Sequence, residues 1–312
     1  MNQNSILTIV GPTASGKTAI SVEIAKHLGC EIVGLDSRQI YSEIPLGTAQ
    51  PSIEEQGGIP HHLIGIKSPN KTVAAGAYTS MVMDKVKDIE SRGKIPLICG
   101  GAGLYYRALV NGIFVESKTD QVVRDRLENE YDKNGSDDMM TQLQEADPEY
   151  AKQVHPNNKK RLVRALEIVE VTGKPPSHHF EEQKIAGPPK LNLFTVFLDW
   201  DRAVLQDRIA KRTKKMLESG WVNEVKNLLA QYPNERLHPL DSIGYRQIIA
   251  HLNNELSESE LEDKIVIKTR QFAKRQIQWF RKERLDMTID MVLNRSIEDI
   301  TMEILKGMSE KR

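Results

Sequence analysis

Eight consecutive residues, Gly11-Pro12-Thr13-Ala14-Ser15-Gly16-Lys17-Thr18, have the types and the spacing of a loop that holds phosphate. The two glycines admit backbone conformations that a Cβ blocks. Backbone N–H groups and the positive end of the following helix then converge on an anion. Lys17 adds a mobile point charge, and the Thr18 hydroxyl is an oxygen ligand of the kind Mg²⁺ takes. These residues alone leave open whether the phosphate belongs to a nucleotide.

Asp36 supplies a second kind of chemistry. It opens Asp36-Ser37-Arg38-Gln39-Ile40-Tyr41 directly after the apolar run 31–35. In open α/β sheets ligands bind at the carboxyl ends of strands. Asp36 is therefore expected to face the same crevice as Lys17, as a catalytic or metal-associated carboxylate, with helix capping as the alternative. Gly100-Gly101-Ala102-Gly103-Leu104-Tyr105 follows another apolar run, 95–99, and is expected to line that crevice too.

Basic residues form the third group. Residues 264–284 hold eight of them against one acid, Glu283. At ~100° per residue Lys264, Lys268, Arg275 and Lys282 fall in one stripe with Gln271 and Gln278 between them. Ile265, Phe272, Ile277, Trp279 and Phe280 fall on the other side. One basic face opposite an apolar face suits a reader of phosphate backbones, or a helix lying on a membrane surface. Lys159, Lys160, Arg161 and Arg164 crowd the start of another predicted helix, where cations oppose the helix dipole. Either this is a solvated face paired with Glu167, or an external polyanion offsets the repulsion. From 203–229, Arg208 and Arg212 are candidates to reach the phosphate loop. The run 191–199 ends in Asp199, a strand end of Walker B type or a structural one. The adjacent His61 and His62 lack the company of a metal cluster, which favours a structural role.

These groups need a scaffold of alternating strands and helices. Residues 5–10, 31–35, 95–99 and 191–199 read as buried strands. Ile20, Ile24, Ala25 and Leu28 mark the helix after the phosphate loop, and Met81, Val82, Val86 and Ile89 mark another. Between 117 and 173 the pattern is helical with no strand, starting at Asp120 as N-cap. The expected architecture is an α/β core of the P-loop NTPase type, a parallel sheet with helices on both faces, interrupted by an all-helical insertion. The divisions are 1–116 for the first part of the core, 117–189 for the insertion and 190–312 for the rest, with an uninformative tail beyond Asp290.

Composition sets limits. The 312 residues carry 43 Lys+Arg against 43 Asp+Glu, so net charge favours no class of partner and only its distribution speaks. Two cysteines, Cys30 and Cys99, read as separate thiols suited to a reducing cytoplasm. No stretch approaches a membrane span, and residues 1–4 do not read as a signal peptide.

In order along the chain, the phosphate loop, Asp36–Tyr41, Gly47-Thr48-Ala49, Pro60-His61-His62-Leu63, Gly100–Tyr105, Arg161-Leu162-Val163-Arg164-Ala165-Leu166-Glu167 and Thr269-Arg270-Gln271-Phe272-Ala273-Lys274-Arg275-Gln276 resemble the bacterial tRNA dimethylallyltransferases. The resemblance spans nearly the whole chain. It implies transfer of a dimethylallyl group from dimethylallyl diphosphate to N6 of the adenosine just 3′ of the anticodon, in tRNAs reading codons that begin with U. It implies that the loop residues Gly11 to Thr18, with Arg212, hold the diphosphate and that Thr18 holds Mg²⁺. Lys17, Thr18 and Asp36 would do the chemistry, Asp36 as general base. The tRNA anticodon stem-loop would be held by Asp36, Ser37, Arg38, Gln39, Ala102, Arg124, Lys160, Arg161, Leu162, Val163, Arg164, Lys268 and Arg275. The protein would be a cytoplasmic monomer. Two positions depart from the family: Ala102 stands where Thr is usual, and Gln50 where Lys is usual. The rival readings are a P-loop kinase of a small molecule or nucleotide, and an RNA-binding P-loop ATPase.

Overall fold

Six runs of β-branched and aliphatic residues pair into one all-parallel sheet in a computed structural model, which describes residues 5–112, 119–186, 190–233, 235 and 237–310. The strands are β1 (Ile6–Val10), β2 (Cys30–Leu35), β3 (His61–His62), β4 (Ile95–Gly100), β5 (Leu193–Trp200) and β6 (Met287–Met291), in the spatial order β3-β2-β4-β1-β5-β6. β1 lies at the centre of the useful part of the sheet, between β4 and β5, and all five of its residues are buried. Successive side chains point to opposite faces of a strand, and the core divides accordingly. Val10, Val33, Ile98 and Phe197 pack on one face with Tyr78, Val82 and Phe280. Ile9, Ile32, Leu97 and Val196 pack on the other with Ile20, Ile24, Ile300 and Ile304. Helices therefore cover both faces, as an all-parallel sheet requires.

Among the elements not expected is β6 itself, which adds an edge strand to the four strands read from the sequence. His61–His62 forms a short edge strand where only a structural role for the two histidines was read. The tail beyond Asp290 is not featureless: the helix Ile297–Glu310 buries Ile300, Ile304 and Met308 against the helix Lys17–Leu28. Lys311 and Arg312 lie outside the described residues.

The chain divides into two compact units, Met1–Val110 with Leu191–Arg312, and Asn111–Lys190. Among the described residues the second unit contains helices and no strand. Its helix Gln121–Asn134 is capped by Asp120, whose side chain accepts from the N–H groups of Val122 and Val123. Leu127, Met139, Leu143, Leu162 and Leu166 form its core. Fully buried Glu167 accepts from Arg124 (2.7 Å), Arg164 (2.9 Å) and the Asp120 N–H (3.1 Å). A buried carboxylate needs such company, since an unpaired buried charge is costly. No helix among the described residues is long and apolar enough to cross a membrane.

Candidate active site

Sheet register brings three chemical segments to one edge. Gly100 of β4 aligns with Val10 of β1 on one side and Leu35 of β2 on the other. The residues that follow, Gly101, Gly11 and Asp36, thus leave the sheet side by side. The packing there is close: a Cβ on Gly100 would sit 2.1 Å from the Leu35 carbonyl oxygen, so only glycine fits. The Ala102 N–H donates to that same oxygen at 3.3 Å.

The phosphate loop turns through two left-handed residues, Ala14 (φ 63°) and Gly16 (φ 89°). Four of its carbonyl oxygens accept from side chains. Lys17 Nζ donates to the oxygens of Gly11 (3.1 Å) and Pro12 (2.7 Å), Arg208 Nε to that of Ala14 (2.9 Å), and Trp200 Nε1 to that of Ser15 (2.9 Å). The Arg208 guanidinium carbon lies over the Trp200 ring, 4.4 Å from its centre. Arg212 Nη1 donates to Thr13 Oγ1 at 3.3 Å. With the carbonyls capped, the first N–H groups of the Lys17–Leu28 helix, which have no intrahelical partner, present positive potential. Both arginines expected to reach the loop do so, from the helix Arg202–Glu218.

Burial pulls the Lys17 ammonium down to about 8; Arg212 acts in the same direction, and the Cys99 thiol and Asp36 carboxylate oppose it. Burial also lowers Arg212, again against the Asp36 charge. An anion bound in the loop favours charged lysine and raises its pKa. Binding of inorganic diphosphate should therefore take up protons near pH 8 and weaken as pH rises through that value, by about tenfold between pH 7 and pH 9 if only the ammonium binds. Calorimetry in buffers of different ionisation enthalpy reads the uptake directly. Lys17→Met should remove the lysine's share and leave only the proton exchange of diphosphate itself, and equal uptake in both proteins would assign the titration elsewhere.

Asp36 is held by its own turn. Its Oδ1 accepts from the N–H groups of Arg38 (2.8 Å) and Gln39 (3.4 Å), while Oδ2 has no hydrogen-bond partner among the described residues. Its N–H donates to the Tyr78 hydroxyl (3.2 Å), which donates to the Gly34 carbonyl (2.7 Å). The helix-capping alternative is not met, because residues 37–40 form a turn and the next helix, Pro45–Thr48, is capped by Ile44; one Asp36 oxygen orders that turn and the other is available. Two amides staple this turn to the next loop. Gln39 Nε2 donates to the carbonyls of Thr48 (3.2 Å) and Ala49 (2.8 Å), and Gln50 Nε2 to those of Gln39 (3.0 Å) and Tyr41 (2.6 Å). Gln50, the departure from the family's Lys, is here a donor that fixes backbone. Arg38 bonds His238, and Ser37 is half-buried. Glu224, not foreseen, anchors the far side of the loop by accepting from the N–H groups of Leu46 (2.7 Å) and Gly47 (3.0 Å).

The basic segment is the helix Glu258–Phe280, opened by a Ser257–Glu260 capping box. Lys264, Lys268, Gln271, Arg275 and Gln278 are exposed, as the stripe requires. Lys282 and Arg284 lie past its end. Phe272 was expected on the apolar face but is 39% exposed, with the Arg275 guanidinium 5.9 Å from its ring centre. Arg270 turns toward the Gln206 carbonyl (3.4 Å), and Arg281 pairs with Asp199 (3.0 Å), which gives that strand-end acid a structural partner. The basic run hid Gln276, which is buried and bonds both the Thr13 N–H and the Gly101 carbonyl.

In the second unit, Lys160 and Arg161 are exposed on the helix Lys159–Thr172, while Arg124 and Arg164 are half-buried and committed to Glu167. Leu162 and Val163 need correction as contact side chains: both are core residues, 0% and 2% exposed. His62 bonds Glu31 (2.7 Å), whose carboxyl Arg92 holds down at about 2, consistent with a structural role for the pair of histidines. Cys30 and Cys99 are free thiols.

Residues 39–283 match the model of the IPP transferase family. The chain belongs to that family. A tRNA dimethylallyltransferase of Salinibacter ruber is 41% identical over 89% of this chain and 85% of that protein. One from Bacillus licheniformis is 38% identical over 98% and 97%. Among solved structures, the tRNA isopentenylpyrophosphate transferase of Bacillus halodurans superposes with a TM-score of 0.70 at 32% identity, covering 99% of this chain and 98% of that one. A eukaryotic dimethylallyltransferase described as acting on tRNA gives a TM-score of 0.81 at 28% identity, over 99% and 80%. IPP transferase relatives thus match the chain over nearly its whole length, phosphate loop and helical unit included.

Proposed function

We infer that this protein transfers a dimethylallyl group from dimethylallyl diphosphate to N6 of the adenosine 3′-adjacent to the anticodon, in tRNAs reading codons that begin with U. The observation that carries the reading is the juxtaposition at one sheet edge of an anion-binding loop and a carboxylate with a free oxygen, in a chain of the IPP transferase family.

The chemistry follows from the residues. The C–O bond between the allylic carbon and the diphosphate breaks, and negative charge grows on the leaving oxygen. Loop N–H groups, Lys17, Arg208 and Arg212 are fixed in place before that charge appears, which is the condition for strong electrostatic stabilisation. The amine lone pair forms the new C–N bond, and Asp36 Oδ2 takes the amine proton as general base. The base cannot be reached in a stack, so it must flip into the crevice between Asp36 and Ala102. The Thr18 hydroxyl, with no hydrogen-bond partner among the described residues, is a hard oxygen donor and fits Mg²⁺. Bound there, the ion would neutralise charge on the diphosphate.

The exposed faces of the two basic helices would hold the RNA backbone, Lys268 and Arg275 on one and Lys160 and Arg161 on the other. Free thiols suit a cytoplasmic site of action. Replacing Lys268 and Arg275 together by alanine is expected to weaken all substrate tRNAs alike and to reduce the slope of log K against log salt by about 2, one per lost phosphate contact. Affinity for the allylic diphosphate should stay unchanged, and an unaltered salt slope would make this face merely solvated. The reading itself is tested by diphosphate release from dimethylallyl diphosphate with tRNA present and no nucleoside triphosphate. Release that needs ATP would favour a kinase, and RNA-stimulated ATP hydrolysis with no transfer would favour an ATPase module.

A further inference from the structure

We propose that Gln276 is a positioning residue that acts on the leaving diphosphate through Thr13 and Arg212, and so ties the RNA-facing helix to the phosphate loop; this rests on the transfer reading above. Gln276 is 7% exposed, one residue along from exposed Arg275. Its Oε1 accepts from the Thr13 N–H at 2.9 Å, and its Nε2 donates to the Gly101 carbonyl at 2.9 Å. A primary amide offers a donor and an acceptor at one end, so it bridges the two strand-end segments as a sheet rung would. The fit is tight, because a Cβ on Gly101 would lie 2.5 Å from Nε2.

The consequence runs one residue further. With its N–H tied to Gln276, Thr13 has a fixed backbone, and its hydroxyl is placed to accept from Arg212 Nη1. Arg212 is half-buried, within the fields of Lys17 and Asp36. An arginine in that position must be aimed, since five donors in a rigid fork serve an anion only in the right plane. Gln276 sets that aim without touching the substrate, and it does so from the helix whose neighbouring face, about 100° round the axis, carries Lys268 and Arg275. Docking of RNA on that face and setting of the diphosphate cradle thereby share one rigid element.

Two variants of the full chain test this. Gln276→Met keeps length and burial but makes neither bond. Gly101→Ala displaces the amide while leaving Gln276 in the sequence. Both should raise KM for dimethylallyl diphosphate and lower kcat, each by about tenfold, as small misplacements near a reacting centre do. tRNA affinity by filter binding should change less than about twofold, and inorganic diphosphate should bind more weakly in the same proportion as KM. Arg212→Lys should cost less in the Gln276→Met background than in the wild-type chain, the mark of two residues acting in series. If one variant fails to fold, the other gives the same readout. Normal kinetics with only a lowered melting temperature would overturn the proposal, as would independent effects of Gln276 and Arg212. Absence of any transfer by the wild-type chain would sink the transfer reading instead, and diphosphate titration of the variants would still decide the role of Gln276.

Discussion

Replacing Asp36 by asparagine is expected to slow single-turnover transfer at saturating tRNA by roughly 10²–10⁴, the usual worth of a positioned base. The geometry makes the substitution clean. Asparagine Oδ1 keeps the turn by accepting from the N–H groups of Arg38 and Gln39, as Asp36 Oδ1 does. Only Oδ2, which has no partner among the described residues, becomes an amide nitrogen that cannot take a proton. Melting temperature should therefore hardly move, since asparagine orders such turns nearly as well as aspartate. tRNA affinity should fall by no more than the worth of one hydrogen bond, about 1 kcal/mol, because the nitrogen that replaces Oδ2 cannot accept from the adenine amine while the rest of the RNA contact is unchanged. A near-normal rate would remove the general-base role. A rate restored by high Mg²⁺ would make Asp36 a metal partner instead.

The second large effect belongs to Lys17. Lys17→Met should lower kcat by about 10²–10³, the typical loss for one donor aimed at developing charge in a site screened from water. Its ammonium is held by the Gly11 and Pro12 carbonyls, so it sits within the loop before any anion arrives. The methionine variant also loses these caps, and its loop must be checked by inorganic diphosphate binding. Chelation of Mg²⁺ should reduce transfer on the same scale. Full activity in EDTA would deny Thr18 its metal.

What could be read from the sequence was what local pattern dictates. The run Ile6 to Val10 is rich in β-branched and aliphatic residues, as a strand with both faces buried requires, and the loop that follows has a spacing few other functions use. Asp36 was found by the same logic, as the first polar residue past a buried strand. Gln276 could not be found that way. It stands among basic residues on a helix, and its role exists only because that helix crosses Thr13 and Gly101, 263 and 175 residues away. Phe272 misled because helical periodicity assigns sides without saying where the apolar side stops, and its ring lies at that border under Arg275. The Ile297–Glu310 helix was missed for a weaker reason. Ile300, Ile304 and Met308 recur every fourth residue and are a legible buried stripe. Leu162 and Val163 show the limit of carrying a motif over whole: its charged members face out, while its aliphatic members build the core of their unit.

The most direct measurement of the transfer itself uses dimethylallyl diphosphate labelled in its allylic carbons, with unmodified tRNA, Mg²⁺ and no ATP. After digestion of the RNA to nucleosides, label is expected in N6-dimethylallyladenosine alone, from tRNAs reading U-starting codons, with one diphosphate released per group transferred and none with Asp36→Asn on the same time scale. Label that stays in the diphosphate while ATP is consumed, or label on any other nucleoside, would contradict it.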